Sequence, residues 1–349
     1  MDQQHTVTPI RRPAVLERKS GWGLALVRAV IAQAVATHDR STRAGEVADR
    51  MWPGDEQVAT VIRAAVSPTT IGNTPALVPV TAALVDALQP LSASGELMAR
   101  GISVTADGGL VVVPGFAPGA ATFVGEAAPI PVRQLVSSGP TLSPYKIATI
   151  ITLSMELLES TNAEPLARAA LLESIGLGLD AILFSDTAAV AGVSPPGLLV
   201  GIPALTPSSS TSKGEAMADD LVALVVALGP AAAAGVLFVA APPQAAAMTL
   251  RAMTPLPNVR ASSALAPGTV VAVATQAFVS MLGVPRIDSS IEAVLHMADP
   301  AEAFATAGVV AAPGRSLFQT AVTGLKMVTP ASWGLRAPNA ASWMSAVTW

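Results

Sequence analysis

Residues Phe123 to Asp186 read FVGEAAPIPVRQLVSSGPTLSPYKIATIITLSMELLESTNAEPLARAALLESIGLGLDAILFSD. Three pieces follow one another there. The first is an arm: Phe123-Val124-Gly125-Glu126 leads through Pro129 and Pro131 into Ile130, Val132 and Leu135. A turn-prone Ser137-Ser138-Gly139-Pro140 then returns it through Leu142 and Tyr145. Short apolar runs bounded by Pro and Gly read as strands joined by turns, and Pro inside a run confines it to an edge. Such a ribbon projects. An isolated two-stranded ribbon is only marginally stable until it packs on something, and another copy of the chain is the candidate.

The second piece, Lys146 to Ser154, carries β-branched residues on both faces, as expected of a strand covered on both sides. The third is a helix. Thr161 or Asn162 caps it, Glu164 reaches back as in a capping box, and Pro165 stays in the first turn. Leu171, Ile175, Leu179 and Ile182 form one apolar stripe, Arg168, Glu173 and Asp180 lie off it, and the helix ends near Phe184.

Taken together, these residues resemble the tailed-phage major capsid protein family. The resemblance lies in F-V-G-E-x-x-P-x-P-V from Phe123 to Val132 and T-L-x-P-x-K from Thr141 to Lys146. It continues in S-x-E-L-L from Ser154 to Leu158 and the long helix from Glu164 to Asp186. It resumes at Ala191 to Pro195, at Ser316 to Thr320 and from Trp333 to Trp349, where Arg336-Ala337-Pro338 precedes Trp343. Each motif alone is weak, whereas their order and spacing together are specific.

The resemblance implies an α+β chain with the Hong Kong 97 capsid fold. Its segments would be an N-terminal helical arm or scaffold-like piece (1–66) and a linker opening the peripheral domain (67–118). An extended loop (119–146), a peripheral strand and spine helix (147–186), an axial domain (187–286) and returning peripheral strands with the C-terminus (287–349) would follow. Phe123, Glu126, Ile130, Arg133 and Leu135 would make the loop's contacts with a neighbouring subunit, and Arg168, Glu173 and Leu179 would mark the spine helix. The implied function is an icosahedral shell of hexamers and pentamers around double-stranded DNA, in a virion assembled in the host bacterial cytoplasm. Portal and scaffold or maturation protease would be partners. An encapsulin-like compartment shares the fold and is the alternative; a membrane or envelope protein is a more distant one.

Composition agrees with a chain that buries surface against protein. Among 349 residues, 51% are hydrophobic and 13% charged, against about a quarter charged in ordinary globular chains. A net charge of −4 argues against a dedicated nucleic-acid binder, so DNA would be held by confinement. The charge is uneven: up to Arg63 nine basic residues face seven acidic ones, and beyond it eleven face seventeen. The absence of cysteine excludes disulfides, thiolate metal sites and cysteine nucleophiles. Leu221 to Ala241 is apolar and long enough to span a bilayer, but Gly229-Pro230 divides it and Pro242-Pro243 stops it, so no membrane span is expected.

Elsewhere, Gly21 to Thr37, Ala44 to Met51, Asp55 to Val66 and Val80 to Leu91 read as helices, and Gly101 to Val113 as a hairpin turning at Asp107-Gly108-Gly109. From Ser212 to Pro285 helix and strand alternate: Glu215 to Leu228, Val236 to Ala240, Pro243 to Met253 and Val270 to Ala274. Ile287 to Met297 and Leu317 to Val328 read as long strands returning beside the spine helix.

Catalytic signals are thin. His5, His38 and His296 are far apart, and Glu292 with His296 lacks a third ligand. Ser143-Pro144-Tyr145-Lys146 matches S-x-x-K, but its partner motifs are missing and strand-forming residues follow it. Gly176-Leu177-Gly178 lies within a helix, where small residues let another element pack closely. Some family members crosslink a loop lysine to a neighbour, but Lys19, Lys146, Lys213 and Lys326 all lie outside the loop tip, so none is expected here. No catalytic residue, cofactor or metal is expected.

Overall fold

The computed structural model describes residues 25, 28–29, 31–33, 35–36, 43–66, 84–105, 110–115, 139–154, 163–251, 258–296 and 314–349. Helices α1 (Ala44–Met51) and α2 (Glu56–Val66) match the expected spans. Val47, Val58 and Val61 are buried in the same cluster as Leu88, Leu97 and Ile175. Arg28 donates to Asp55, just before α2, at 2.9 Å and lies over the Trp52 ring. After a helical stretch at 84–88, Ser92 caps α3 (Ala93–Arg100), its hydroxyl accepting from the Gly95 amide at 3.0 Å.

Residues 101–113 do not form the expected hairpin. Strand β1 (Ile102–Thr105) pairs in parallel with β8 (Phe278–Leu282), while β2 (Val111–Val112) pairs with β3 (Thr141–Leu142). Each of the two strands is held instead by a long-range partner with apolar side chains. The turn residues Asp107-Gly108-Gly109 are outside the described residues.

The first sheet has the order β1-β8-β12-β4, with β9 (Arg286–Ser290) also beside β12. Its axis is β12 (Val322–Leu335), paired with β4 (Tyr145–Ser154) from Val322 to Ala331. Across β12, β9 covers Gly324 to Val328 and β8 covers Ala331 to Leu335. Pro330 falls in the gap between those two partners, where its missing N–H costs no ladder bond, and its carbonyl still accepts from Gly283 at 2.8 Å. The returning strand therefore starts later than expected and runs through the proline to Leu335. The single strand expected over Ile287 to Met297 is instead two, β9 and β10 (Val294–His296), the latter paired with β11 (Gly314–Ser316).

Helix α4 (Ala163–Leu183) packs on one face of β4. Leu171, Ile175 and Leu179 are buried as the stripe required, and Ile182 is half-buried. Asp180, expected off the stripe, is buried too, because a second element covers α4 there. Gly176 shows how close that element comes: a Cβ on it would lie 3.0 Å from the Ser92 Cβ at the start of α3.

The second sheet has the order β13-β7-β5-β6, built from β5 (Val236–Ala240), β6 (Val259–Ala261), β7 (Val270–Ala274) and β13 (Ala341–Met344). Side-chain alternation sends Leu237, Val239, Val271 and Val273 toward α3, α4 and the first sheet. Ala240, Val270, Ala272 and Met344 point the other way, onto α5 (Lys213–Leu228) and α6 (Pro242–Arg251). α5 stops at Gly229-Pro230 as expected, and a 3-10 segment, Gly229–Ala234, leads into β5. By length and composition Lys213–Ala234 is apolar enough to cross a membrane. Here Leu221, Leu224 and Leu228 of that run are buried against the sheet. Trp349 closes this layer by donating its indole N–H to the buried Asp220 at 2.7 Å. Sheet membership crosses the expected segment limits, since β8 joins the first sheet and β13 the second.

Candidate assembly surface

The base of the arm is a small, rigid structure. Val111 pairs with Leu142 and Val112 with Thr141, and the Val113 amide donates to the Pro140 carbonyl at 3.1 Å. Leu142 and Val113 are buried against Val279 and Met281 of β8. Phe278 and Leu282 of the same strand face the opposite way, into the main core. The arm thus springs from the sheet face that α4 does not occupy. Arg336 Nε donates to the Pro114 carbonyl at 3.1 Å and fixes the outgoing leg. Gly139 is pinned between the legs, where a Cβ would sit 1.7 Å from the Val113 carbonyl oxygen and 2.6 Å from the Gly115 nitrogen. Phe123, Glu126, Ile130, Arg133 and Leu135, expected as loop contacts, lie outside the described residues, as do Thr161 and Asn162.

On that same sheet face β4 is bare. Residues paired across strands share a face, so Ile150, opposite Lys326, stands beside the Lys326–Asp288 ion pair (2.8 Å). Lys146, Ala148, Ile150, Thr152 and Ser154 are all exposed, Ile150 at 52%. Only the alternate residues turn inward, where Ile147 packs on the core and the Thr149 hydroxyl lies 2.9 Å from that of Ser174. The expectation of a strand covered on both faces is therefore corrected. Among the described residues β4 also has a partner strand on one side alone. A long edge with exposed β-branched side chains is a template for another chain to pair with or lie upon.

On the helix side, Glu173 is exposed and Leu179 is core; Arg168 is within α4, its side chain outside the described residues. Ile147, Leu179, Ile182, Val193, Pro195 and Trp333 line a cleft of about 230 Å³, and the Trp333 indole donates to the Pro196 carbonyl at 2.8 Å. Further apolar side chains stand out from the second sheet's helices, with Val226 of α5 at 71% exposed and Leu250 of α6 at 83%.

Chemistry does not gather on this surface. Lys146 and Tyr145 belong to β4, so the S-x-x-K run is extended rather than helical. Among the described residues no cluster of three or more His, Asp or Glu is placed to hold a metal ion. The carboxylates that sequence reasoning missed are buried and structural. Asp180 accepts from the amides of Ala93 (3.2 Å) and Ser94 (2.8 Å) at the start of α3. Glu96 bridges Arg100 and Arg260. The signal for Asp180 was present: a lone acid inside the apolar run Leu177 to Phe184 is tolerated only where donors await it.

Burial raises the Glu96 carboxyl, but hydrogen bonds from Gln89 and Arg100 and the charges of Arg260 and Arg100 outweigh it, leaving it below the usual glutamate range. A carboxyl depressed in the folded state contributes stability above its unfolded value of about 4.3 and loses it as pH falls through the folded value. Thermal melts from about pH 5 to about pH 3 should therefore fall more steeply for the wild type than for Glu96→Gln, which lacks that component. Parallel slopes would show that Glu96 is not an acid-sensitive group.

In chain order the described residues run from the arm base through β4 and α4 to the second sheet with α5 and α6, and then to β12. No protein-family model matches the sequence, and no curated protein matches it. Among solved structures the chain is similar to a chain of Mycobacterium phage Adephagia, with 14% identity, 72% of this chain and 90% of that chain covered, and a TM-score of 0.47. It is similar to a chain of the satellite phage P4 procapsid including the size determination (Sid) protein (9% identity, 81% and 92% covered, TM-score 0.46). A third is the virus-like particle from Pyrococcus furiosus (10% identity, 75% and 96% covered, TM-score 0.44). By its own elements the chain is α+β.

Proposed function

We propose that this chain is the major capsid protein of a tailed bacteriophage or prophage, and that its copies form an icosahedral shell around double-stranded DNA. The observation that carries this reading is the braced arm base standing beside a β4 face whose side chains are exposed among the described residues. A segment held this firmly at both ends, with no cover for the face next to it, suits exchange between subunits. The 116–138 segment of one copy lies over the neighbour, with Phe123, Glu126, Ile130, Arg133 and Leu135 as its contacts. The first sheet with α4 serves as the peripheral domain, and the second sheet with α5 and α6 gathers around five- and six-fold axes. Each contact buries apolar area at about 25 cal/mol per Å², and heterologous contacts whose rotation closes multiply into rings and shells. The role is structural rather than catalytic. DNA is retained by confinement, portal and scaffold or maturation protease are the partners, and assembly takes place in the bacterial cytoplasm without a membrane.

Electron microscopy of the chain expressed alone and purified without detergent tests this directly. Closed angular particles, or rings of five and six, are expected. Joining Gly115 to Gly139 through a short Gly-Ser turn, in place of 116–138, should leave a folded, soluble protein that forms no shells, because those two ends already meet. Normal shells from that variant would overturn the assigned role of the arm. Particles holding nuclease-protected DNA fit the phage reading, whereas particles holding only protein cargo point to the encapsulin-like one. Recovery solely in the membrane fraction would end both.

A further inference from the structure

Strand β6 is an edge of the second sheet, and Arg260 within it, with Asn258 just before and Ser262 just after, reaches across to the α3–α4 corner. Asn258 accepts from Arg100 through its side-chain oxygen. Arg260 Nη2 donates to Glu96 Oε2 at 3.0 Å, and Ser262 Oγ donates to Asp180 Oδ2 at 2.6 Å. The two carboxylates belong to the first-sheet side and are almost fully buried, Glu96 at 2% and Asp180 at 4% exposed. Their donors on β6 and just beyond it belong to the second sheet. Among the described residues the sheets also share apolar contacts through Leu237, Val239, Val271 and Val273 and through Ala274 with Leu335.

These two kinds of contact constrain different things. Apolar burial scales with area and has no direction, so it tolerates a few degrees of rotation. Hydrogen bonds weaken steeply with distance and angle, so three rungs in line resist the same rotation. Moving β6 away would strip a buried donor from each carboxylate, a penalty that falls only when water enters. Such a contact has two preferred states, closed or open, rather than a continuum.

We propose that this three-rung polar seam is the conformational device that sets the angle between the two sheets, and that releasing it lets the second sheet swing as a unit. Its consequence for shell curvature rests on the capsid reading; the seam itself does not.

The test removes the second-sheet half of two rungs with Arg260→Met and Ser262→Ala together. The Asp180 cap on α3 and the Arg100–Glu96 pair stay in place, so the fold is retained. The sequence has no cysteine, so Glu173→Cys on α4 and Arg251→Cys at the end of α6, both exposed, accept a nitroxide pair without background. Pulsed electron–electron distance measurement on labelled protein diluted with unlabelled chain should give a single distance in the parent. The double variant should lose that single distance in favour of a broad or two-membered distribution, with an unchanged circular dichroism spectrum. The same distribution in both proteins overturns the seam as the angle-setting element. Should the double variant misfold, Ser262→Ala alone removes one rung and carries the same two outcomes. Among assembled particles, one diameter is expected for the parent and several for the variant. Failure of the parent to form any particles counts against the capsid reading alone, because the distance is read equally well in unassembled chains.

Discussion

Asp180→Ala should lower the unfolding free energy by about 2–5 kcal/mol, among the largest effects of any single substitution outside the arm. The carboxylate is the acceptor for two α3 amides and the Ser262 hydroxyl, all within 3.2 Å. Truncation strands those donors in the interior, each costing about 1–3 kcal/mol unless a water enters, and removes a charge that the α3 N-terminus favours. Asp180→Asn keeps one acceptor oxygen and should lose roughly half as much. Urea unfolding reads both: the midpoint falls while the slope is retained. An Ala variant as stable as the wild type would mean that water already satisfies these donors, and that the buried carboxylate does not fasten α3 to α4.

Much of this architecture was legible because the relevant signals are local. Ala44–Met51, Val236–Ala240 and Val270–Ala274 fall where periodicity and breakers put them. Gly229-Pro230 ends α5 because the pair supplies a positive φ and then removes a donor, which any context must respect. Gly176 permits the close approach that its place inside a helix implied.

What the sequence did not show depends on partners far away along the chain. Fully buried β8 was not anticipated, because the short, mostly apolar run Ala277 to Leu282, interrupted by Ser280, reads equally well as helix or strand until β1 and β12 flank it. β4 looked doubly covered because β-branched residues occupy both of its faces. Among the described residues α4 covers one face and the β4 side chains of the other are exposed; under the proposed function a neighbouring subunit would supply the second cover. Asp180 and Glu96 follow the same logic at smaller scale, since their donors at Ala93, Ser94, Arg260 and Ser262 come from other elements.

Gly139→Ala should leave a folded chain and abolish assembly. The added Cβ would lie 1.7 Å from the Val113 carbonyl oxygen, 2.6 Å from the Gly115 nitrogen and 2.7 Å from the Pro114 carbonyl carbon, all of them backbone atoms. No rotamer change can relieve such a clash, so one leg of the arm must move. The β2–β3 ladder holds two residue pairs, and it gives way before the five-stranded sheet behind it. Opening it uncovers Leu142 and Val113 in part, for about 1–3 kcal/mol of stability, a cost a chain with an intact main core survives. The effect on assembly is larger because a shell repeats the fault at every subunit. A loss of about 1.4 kcal/mol per arm contact weakens each addition step about tenfold, and the penalties compound around every ring that must close. Circular dichroism and the melting transition should therefore remain close to wild type while particles disappear from sedimentation profiles. Normal particle yield from Gly139→Ala would show that the arm base can relax without consequence, and would remove the reason to regard this braced hairpin as the element through which subunits engage.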